Sequence, residues 1–82
     1  MDWQDKNGEL YRKFEFEDFK EAFEFMKQVA EAAEEQNHHP RWQNEYNKVE
    51  IWLSTHSAGG LITDKDKRLA SEIDRVYKKL ID

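Results

Sequence analysis

Eighty-two residues carrying 13 basic and 18 acidic side chains, a formal charge of -5, allow one modest core and exclude two. The acidic balance works against any role resting on phosphate neutralisation, so no direct nucleic-acid partner is expected, and the lack of cysteine removes disulfides, zinc thiolates and cysteine nucleophiles. No apolar run approaches the roughly 20 residues that span a bilayer, and the opening Met1-Asp2-Trp3-Gln4-Asp5 lacks the basic and apolar regions of a leader, which together predict a soluble cytoplasmic protein without a membrane partner.

Trp3 to Lys6, the Asn7-Gly8 pair and Leu10 to Phe16 read as a β-hairpin, because Asn-Gly supplies the positive φ angles of a tight turn. In the second strand Leu10, Arg12, Phe14 and Phe16 share one face, with the phenylalanines marking the core side and Arg12 required to sit near an edge. Asp18 with Glu21 resembles a capping box. Beyond it Phe19, Ala22, Phe23, Met26, Val29, Ala30 and Ala33 recur at helical spacing, predicting a helix to about Gln36 with this stripe in the core. Lys20, Glu21, Glu24, Lys27, Gln28, Glu31 and Glu35 form its solvated face. Asn37 is a stop signal, and Pro40 disfavours helical geometry at His39.

Trp42 to Tyr46 and Lys48 to Thr55 read as two strands around a turn at Asn47. Val49, Ile51 and Leu53 alternate with Glu50, Trp52 and Ser54, and continuing the alternation puts His56 in phase with Trp52 and Ser54. Ala58-Gly59-Gly60 is a flexible loop. Thr63 with Asp66 offers a second capping box, and Leu69, Ala70, Ile73, Val76, Tyr77 and Leu80 form the stripe of a second helix. The order β-β-α-β-β-α, with no repeat or linker, predicts a single α+β domain over 1–82: a four-stranded antiparallel sheet with two helices on one face. The other face, with Tyr11, Glu50 and Trp52, is left open or used for assembly. A core this small, together with an exposed Trp52, predicts a homodimer or homotetramer.

All three histidines lie between Glu34 and His56. His38 and His39 after a helix, His56 at a strand end, and the acids Glu34 and Asp66 suit proton transfer near neutral pH. The same residues also fit a plainer arrangement, in which the histidines are polar groups at a helix end and Asp66 is the capping-box acid. A metal site is not expected. Neighbours in an extended segment point to opposite sides, and neither His-x-x-x-His nor Glu-x-x-His occurs. Ser54, Thr55 and Ser57 lack a Gly-x-Ser-x-Gly setting, and Gly59-Gly60 matches no nucleotide fingerprint.

The run Glu34-x-x-x-His38-His39-Pro40-x-Trp42, then Tyr46-Asn47-Lys48-Val49, Leu53-Ser54-Thr55-His56, Gly60-Leu61 and Thr63-x-x-Asp66, resembles the pterin-4a-carbinolamine dehydratases. The likeness extends upstream to Phe14-x-Phe16-x-Asp18-Phe19-x-x-Ala22 and downstream to Leu69-Ala70-x-x-Ile73. It implies a lyase that removes water from 4a-hydroxytetrahydropterin to give quinonoid dihydropterin, in tetrahydropterin recycling, with no metal or redox cofactor. By that resemblance His38 and His56 are the general acid/base pair, Glu34 and Asp66 orient or tune the imidazoles, and His39 binds the pterin. Trp42, Ser54 and Thr55 line its pocket, Trp42 fitting the core equally well. One residue, Ile62, is extra before Thr63-x-x-Asp66. Animal members of this family also bind a homeodomain transcription factor through a helical surface, so a non-enzymatic interaction module is the alternative, with the stripe of the second helix as that surface here.

Overall fold

The computed structural model describes residues 2–82. Strands β1 (Gln4–Lys6) and β2 (Glu9–Glu15) precede helix α1 (Phe19–Gln36), strands β3 (Arg41–Glu45) and β4 (Lys48–Leu53) follow, and a 3₁₀ turn at His56–Ala58 leads to helix α2 (Asp64–Ile81). The sheet is antiparallel throughout, in the order β1-β2-β4-β3. This is the expected α+β arrangement, with both helices against one face. Among the described residues no helix is long and apolar enough to cross a membrane.

The first hairpin forms as the Asn-Gly pair dictates: Asn7 and Gly8 have φ of 55° and 84°, and Asp5 accepts the Gly8 amide. The second hairpin turns one residue earlier than expected. Tyr46 leaves the strand for the turn with φ 52°, an uncommon conformation for a bulky residue. Phe16 holds that turn in place, its N–H donating to Asn47 O and its carbonyl accepting from the Asn47 side chain.

On the helix side of the sheet Leu10, Phe14, Val49, Ile51 and Leu53 are buried with Leu69, Ala70 and Ile73 of α2. The α2 stripe is thus internal, and a partner could not use Leu69 or Ile73 without opening the core. Arg12 lies on the core face of β2 where β1 stops pairing, at Gln4 opposite Tyr11. Its guanidinium lies over the Phe14 ring at 4.5 Å and donates to Asp74 at 2.7 Å, the same carboxylate that accepts from Trp3 Nε1. A long side chain can in this way cover apolar surface while its charge is matched.

The inward face of α1 keeps Ala22, Met26, Val29 and Ala33 of the expected stripe but is centred on Phe25 in place of Phe19, Phe23 and Ala30. Ala22, Phe25, Val29 and Ala33 are buried, whereas Phe19 and Phe23 are 48% and 57% exposed and Ala30 is exposed. Phe25 decides this, since its ring meets Phe14 at 4.8 Å and Phe16 at 4.9 Å between centroids, with Tyr77 at 6.0 Å. The helix carries enough apolar residues for two stripes, and only the one containing Phe25 faces that aromatic cluster. Phe19 and Phe23 instead stack on each other outside.

Candidate active site

Helix α1 ends on a left-handed residue, Asn37, with φ 52°. The His38 N–H donates to Ala33 O and the Asn37 N–H to Glu34 O, the paired bonds that close a helix C-terminus. This reversal sends His38 and His39 out of the helix toward the sheet end and gives them different partners. His39 Nε2 hydrogen-bonds Glu34 on the last turn of α1, an exposed pair. His38 Nε2 lies 2.6 Å from Asp66 Oδ1, with the imidazole only 12% exposed and the carboxylate fully buried.

Asp66 reaches His38 because α2 begins where it does. Thr63 is the N-cap and Asp66 the third helical residue, so Asp66 Oδ2 accepts the Thr63 N–H at 2.8 Å as a capping-box acid. The same oxygen accepts from Thr55 Oγ1 at 2.8 Å, which leaves Oδ1 for His38. Capping of α2 and a hydrogen bond to a histidine are therefore combined in one carboxylate. The extra residue Ile62 does not displace it. The loop closes upstream through a bridge between Thr55 and Leu61, with Gly59 and Gly60 at positive φ, and Ile62 packs against the core.

Burial alone would raise the Asp66 pKa. The hydrogen bonds from His38, the Thr63 amide and the Thr55 hydroxyl, with the charge of the imidazole, outweigh it and hold the carboxyl below its ordinary value. An ionised carboxylate only accepts, so His38 must place its proton on Nε2. In the neutral imidazole Nδ1 is then the accepting nitrogen.

The strand alternation does not carry through to His56. β4 ends at Leu53, and Thr55 O accepts the amides of Ala58 and Gly60, which winds the chain into the 3₁₀ turn that begins at His56. His56 is exposed and lines a cleft of about 410 Å³ together with His38, His39, Ser54, Thr55, Ser57, Arg41 and Lys65. The cleft brings together all three histidines and the serine and threonine that precede His56. Glu34 and Asp66 stand behind it, each attached to a histidine. Trp42 belongs elsewhere: it pairs with Ile51 on the helix side of the sheet and packs against the core.

Arg41, Lys65 and Glu9 went unnoticed in the sequence. Glu9 holds Arg41 at 2.7 Å and lies 3.4 Å from Ser54 Oγ, while Arg41 covers the Trp52 ring at 4.3 Å. Only the pairing of β2 with β4 and β4 with β3 makes these three segments neighbours, and no spacing rule could have signalled it. Among the described residues no group of three or more histidines and acids is gathered in a way that would hold a metal ion.

A family model described as pterin 4 alpha carbinolamine dehydratase matches residues 1–76. A Prochlorococcus marinus (strain MIT 9515) protein, provisionally named pterin-4-alpha-carbinolamine dehydratase, is 49% identical over 77 residues, 94% of this chain and 79% of its own. A Paraburkholderia xenovorans (strain LB400) protein with the same provisional name is 53% identical over 76 residues, covering 90% of this chain and 78% of its own. A crystal structure of a Brucella melitensis protein described as a transcriptional coactivator/pterin dehydratase superposes with a TM-score of 0.88 at 38% identity, covering 93% of this chain and 82% of that one. A pterin dehydratase-like protein described as a RuBisCO assembly factor of the alpha-carboxysome shares the fold, with a TM-score of 0.75 at 21% identity over 92% of this chain and 86% of its own.

Proposed function

The chain belongs to the pterin 4 alpha carbinolamine dehydratase family, and on that premise we propose that it removes water from a 4a-hydroxytetrahydropterin by histidine acid/base catalysis, in tetrahydropterin recycling. The observation that carries this reading is the buried Asp66 carboxylate holding His38 at the wall of a cleft that His39 and His56 also line.

Hydroxide leaves poorly, so the reaction needs a proton delivered to the 4a-hydroxyl as the bond from carbon to oxygen breaks. The adjacent ring nitrogen supplies the electron pair and loses its own proton to a base. One proton is given and one taken, which two imidazoles can do without any net change in the protein. His38, with Nε2–H engaged by Asp66 and Nδ1 directed to the ligand, and His56, exposed in the same cleft, are assigned these two tasks. Which of them gives and which accepts is a matter for the pH profile. His39 contacts the pterin, with Glu34 fixing its ring. Ser54 is positioned to hydrogen-bond the ligand, while the Thr55 hydroxyl is committed to Asp66.

Turnover of synthetic carbinolamine, followed as the rise in quinonoid absorbance, tests the proposal. Acceleration above the spontaneous rate is expected, and its absence for the intact protein would sink the enzyme reading. Self-assembly is a further part of it, supported by the exposed Phe19/Phe23 stack on α1. Sedimentation should give a dimer or tetramer, and a concentration-independent monomer would refute this.

A further inference from the structure

Thr63 Oγ1 lies 2.7 Å from Thr55 Oγ1, which lies 2.8 Å from Asp66 Oδ2, and the Lys65 amide N–H donates to Thr63 Oγ1 at 3.3 Å. A hydroxyl has one proton to give and two lone pairs to accept with. An ionised Asp66 takes the Thr55 proton, so the contact between the threonines must use the Thr63 proton, and Thr63 must accept from the amide. Every donor in this chain points the same way, from the first turn of α2 to the carboxylate. Bonds aligned in this manner polarise and strengthen one another.

The reverse direction is disfavoured. Were Asp66 to carry a proton on Oδ2, it would donate to Thr55 and Thr55 to Thr63, and the Thr63 proton, with no acceptor left in the chain, would have to turn out to solvent from this partly exposed residue. Thr55 is 5% exposed and Asp66 fully buried, so water offers little escape to either group. We propose that Thr63 is a positioning residue for the dehydration: through Thr55 it denies Asp66 a proton at Oδ2 and confines proton exchange in this corner of the site to Oδ1 and His38. The inference rests on the dehydratase reading for its catalytic consequence, while the behaviour of the carboxylate can be measured without turnover.

The first test is a ¹³C titration of the Asp66 carboxyl in the wild-type protein and in Thr63→Val and Thr63→Ser, paired with kcat and KM as functions of pH. In the wild type the Asp66 signal should stay ionised below the ordinary carboxylate range. Thr63→Val should titrate about one pH unit higher, lose about tenfold in kcat with KM within about twofold, and show an acid limb of kcat moved upward by a similar amount. Thr63→Ser, which keeps the hydroxyl, should restore all three. Thr63→Val also removes an N-cap, and a lowered Tm with unaltered Asp66 titration and kcat would reduce Thr63 to that structural role and overturn the proposal. If Thr63→Val fails to fold, the wild type decides: an Asp66 that titrates at the ordinary carboxylate value overturns it as well. Should no form accelerate dehydration, the enzyme reading fails, and the carboxyl titrations still judge the proton chain.

Discussion

Asp66→Asn is the substitution that probes the site most sharply. The amide keeps the size of the carboxylate but replaces one accepting oxygen with a donor. Oδ2 faces two donors, the Thr55 hydroxyl and the Thr63 N–H, so the amide oxygen belongs on that side and its NH₂ must face His38 Nε2. Two donors then oppose each other at 2.6 Å unless His38 moves its proton to Nδ1, the position proposed for the ligand. A neutral histidine in the wrong tautomer should lower kcat by about 10²- to 10⁴-fold, the range that general acid/base catalysis supplies. Replacing charge-assisted bonds by neutral ones should cost about 1 to 3 kcal/mol of stability, or roughly 5 to 20 °C in Tm for a domain of this size. The pH dependence has a definite sign. Because the folded carboxyl ionises below its ordinary value, its contribution is complete above the unfolded pKa of about 4 and is lost as pH falls through the folded value. The variant should therefore lose less stability than the wild type on acidification below that point. Stopped-flow dehydration and thermal melts across pH 3 to 8 measure all of this. A variant with kcat within about twofold of wild type and an unchanged Tm would refute the role given to the pair.

Three other outcomes are expected. His38→Ala and His56→Ala should each slow dehydration about tenfold or more; His38→Ala should also lower Tm, since it deprives a buried carboxylate of a donor, while His56→Ala at an exposed position should leave Tm unchanged. Phe25→Ala should cost about 3 to 5 kcal/mol in denaturant unfolding and Phe23→Ala under about 0.5 kcal/mol in the isolated protomer, and equal costs would contradict the packing of α1. The Tyr11 hydroxyl bonds Glu50 at 2.6 Å, and that bond, with burial and the Glu50 charge, pushes its pKa from 10.0 up to about 12. Its contribution to stability is thus complete below pH 10 and lost as pH rises toward 12, and ultraviolet titration of Glu50→Gln should find the tyrosine pKa lowered toward 10, with the part due to burial retained.

The outline of this fold was legible because its signals are local. Asn7-Gly8 closes a hairpin whatever surrounds it, Asn37 tolerates the left-handed geometry that ends α1, and Thr63 with Asp66 starts α2 by bonds three residues apart. The alternation of Val49, Ile51 and Leu53 marks a buried strand face with equal clarity. His38, His39 and His56 could be grouped as candidates from their types and neighbours, and the family motifs sharpened that grouping.

Other features depend on what lies across the fold. Nothing within α1 distinguishes the stripe through Phe23 from the stripe through Phe25, since both repeat at helical spacing; Phe14, Phe16 and Tyr77 choose the second. Trp42 looks the same in sequence whether it meets a ligand or the core, and only its register opposite Ile51 shows that it packs against the core. His56 leaves the strand alternation because the Thr55 N–H donates to Leu61 O while the Thr55 carbonyl accepts the amides of Ala58 and Gly60, all before α2 begins. The residue types near His38 were available from the sequence, along with the capping role of Asp66. That this buried capping acid turns its second oxygen to a histidine 28 positions away, with two threonines ordering the protons behind it, follows only once helix, loop and strand are packed together, because a carboxylate has two oxygens and local spacing specifies the partner of just one.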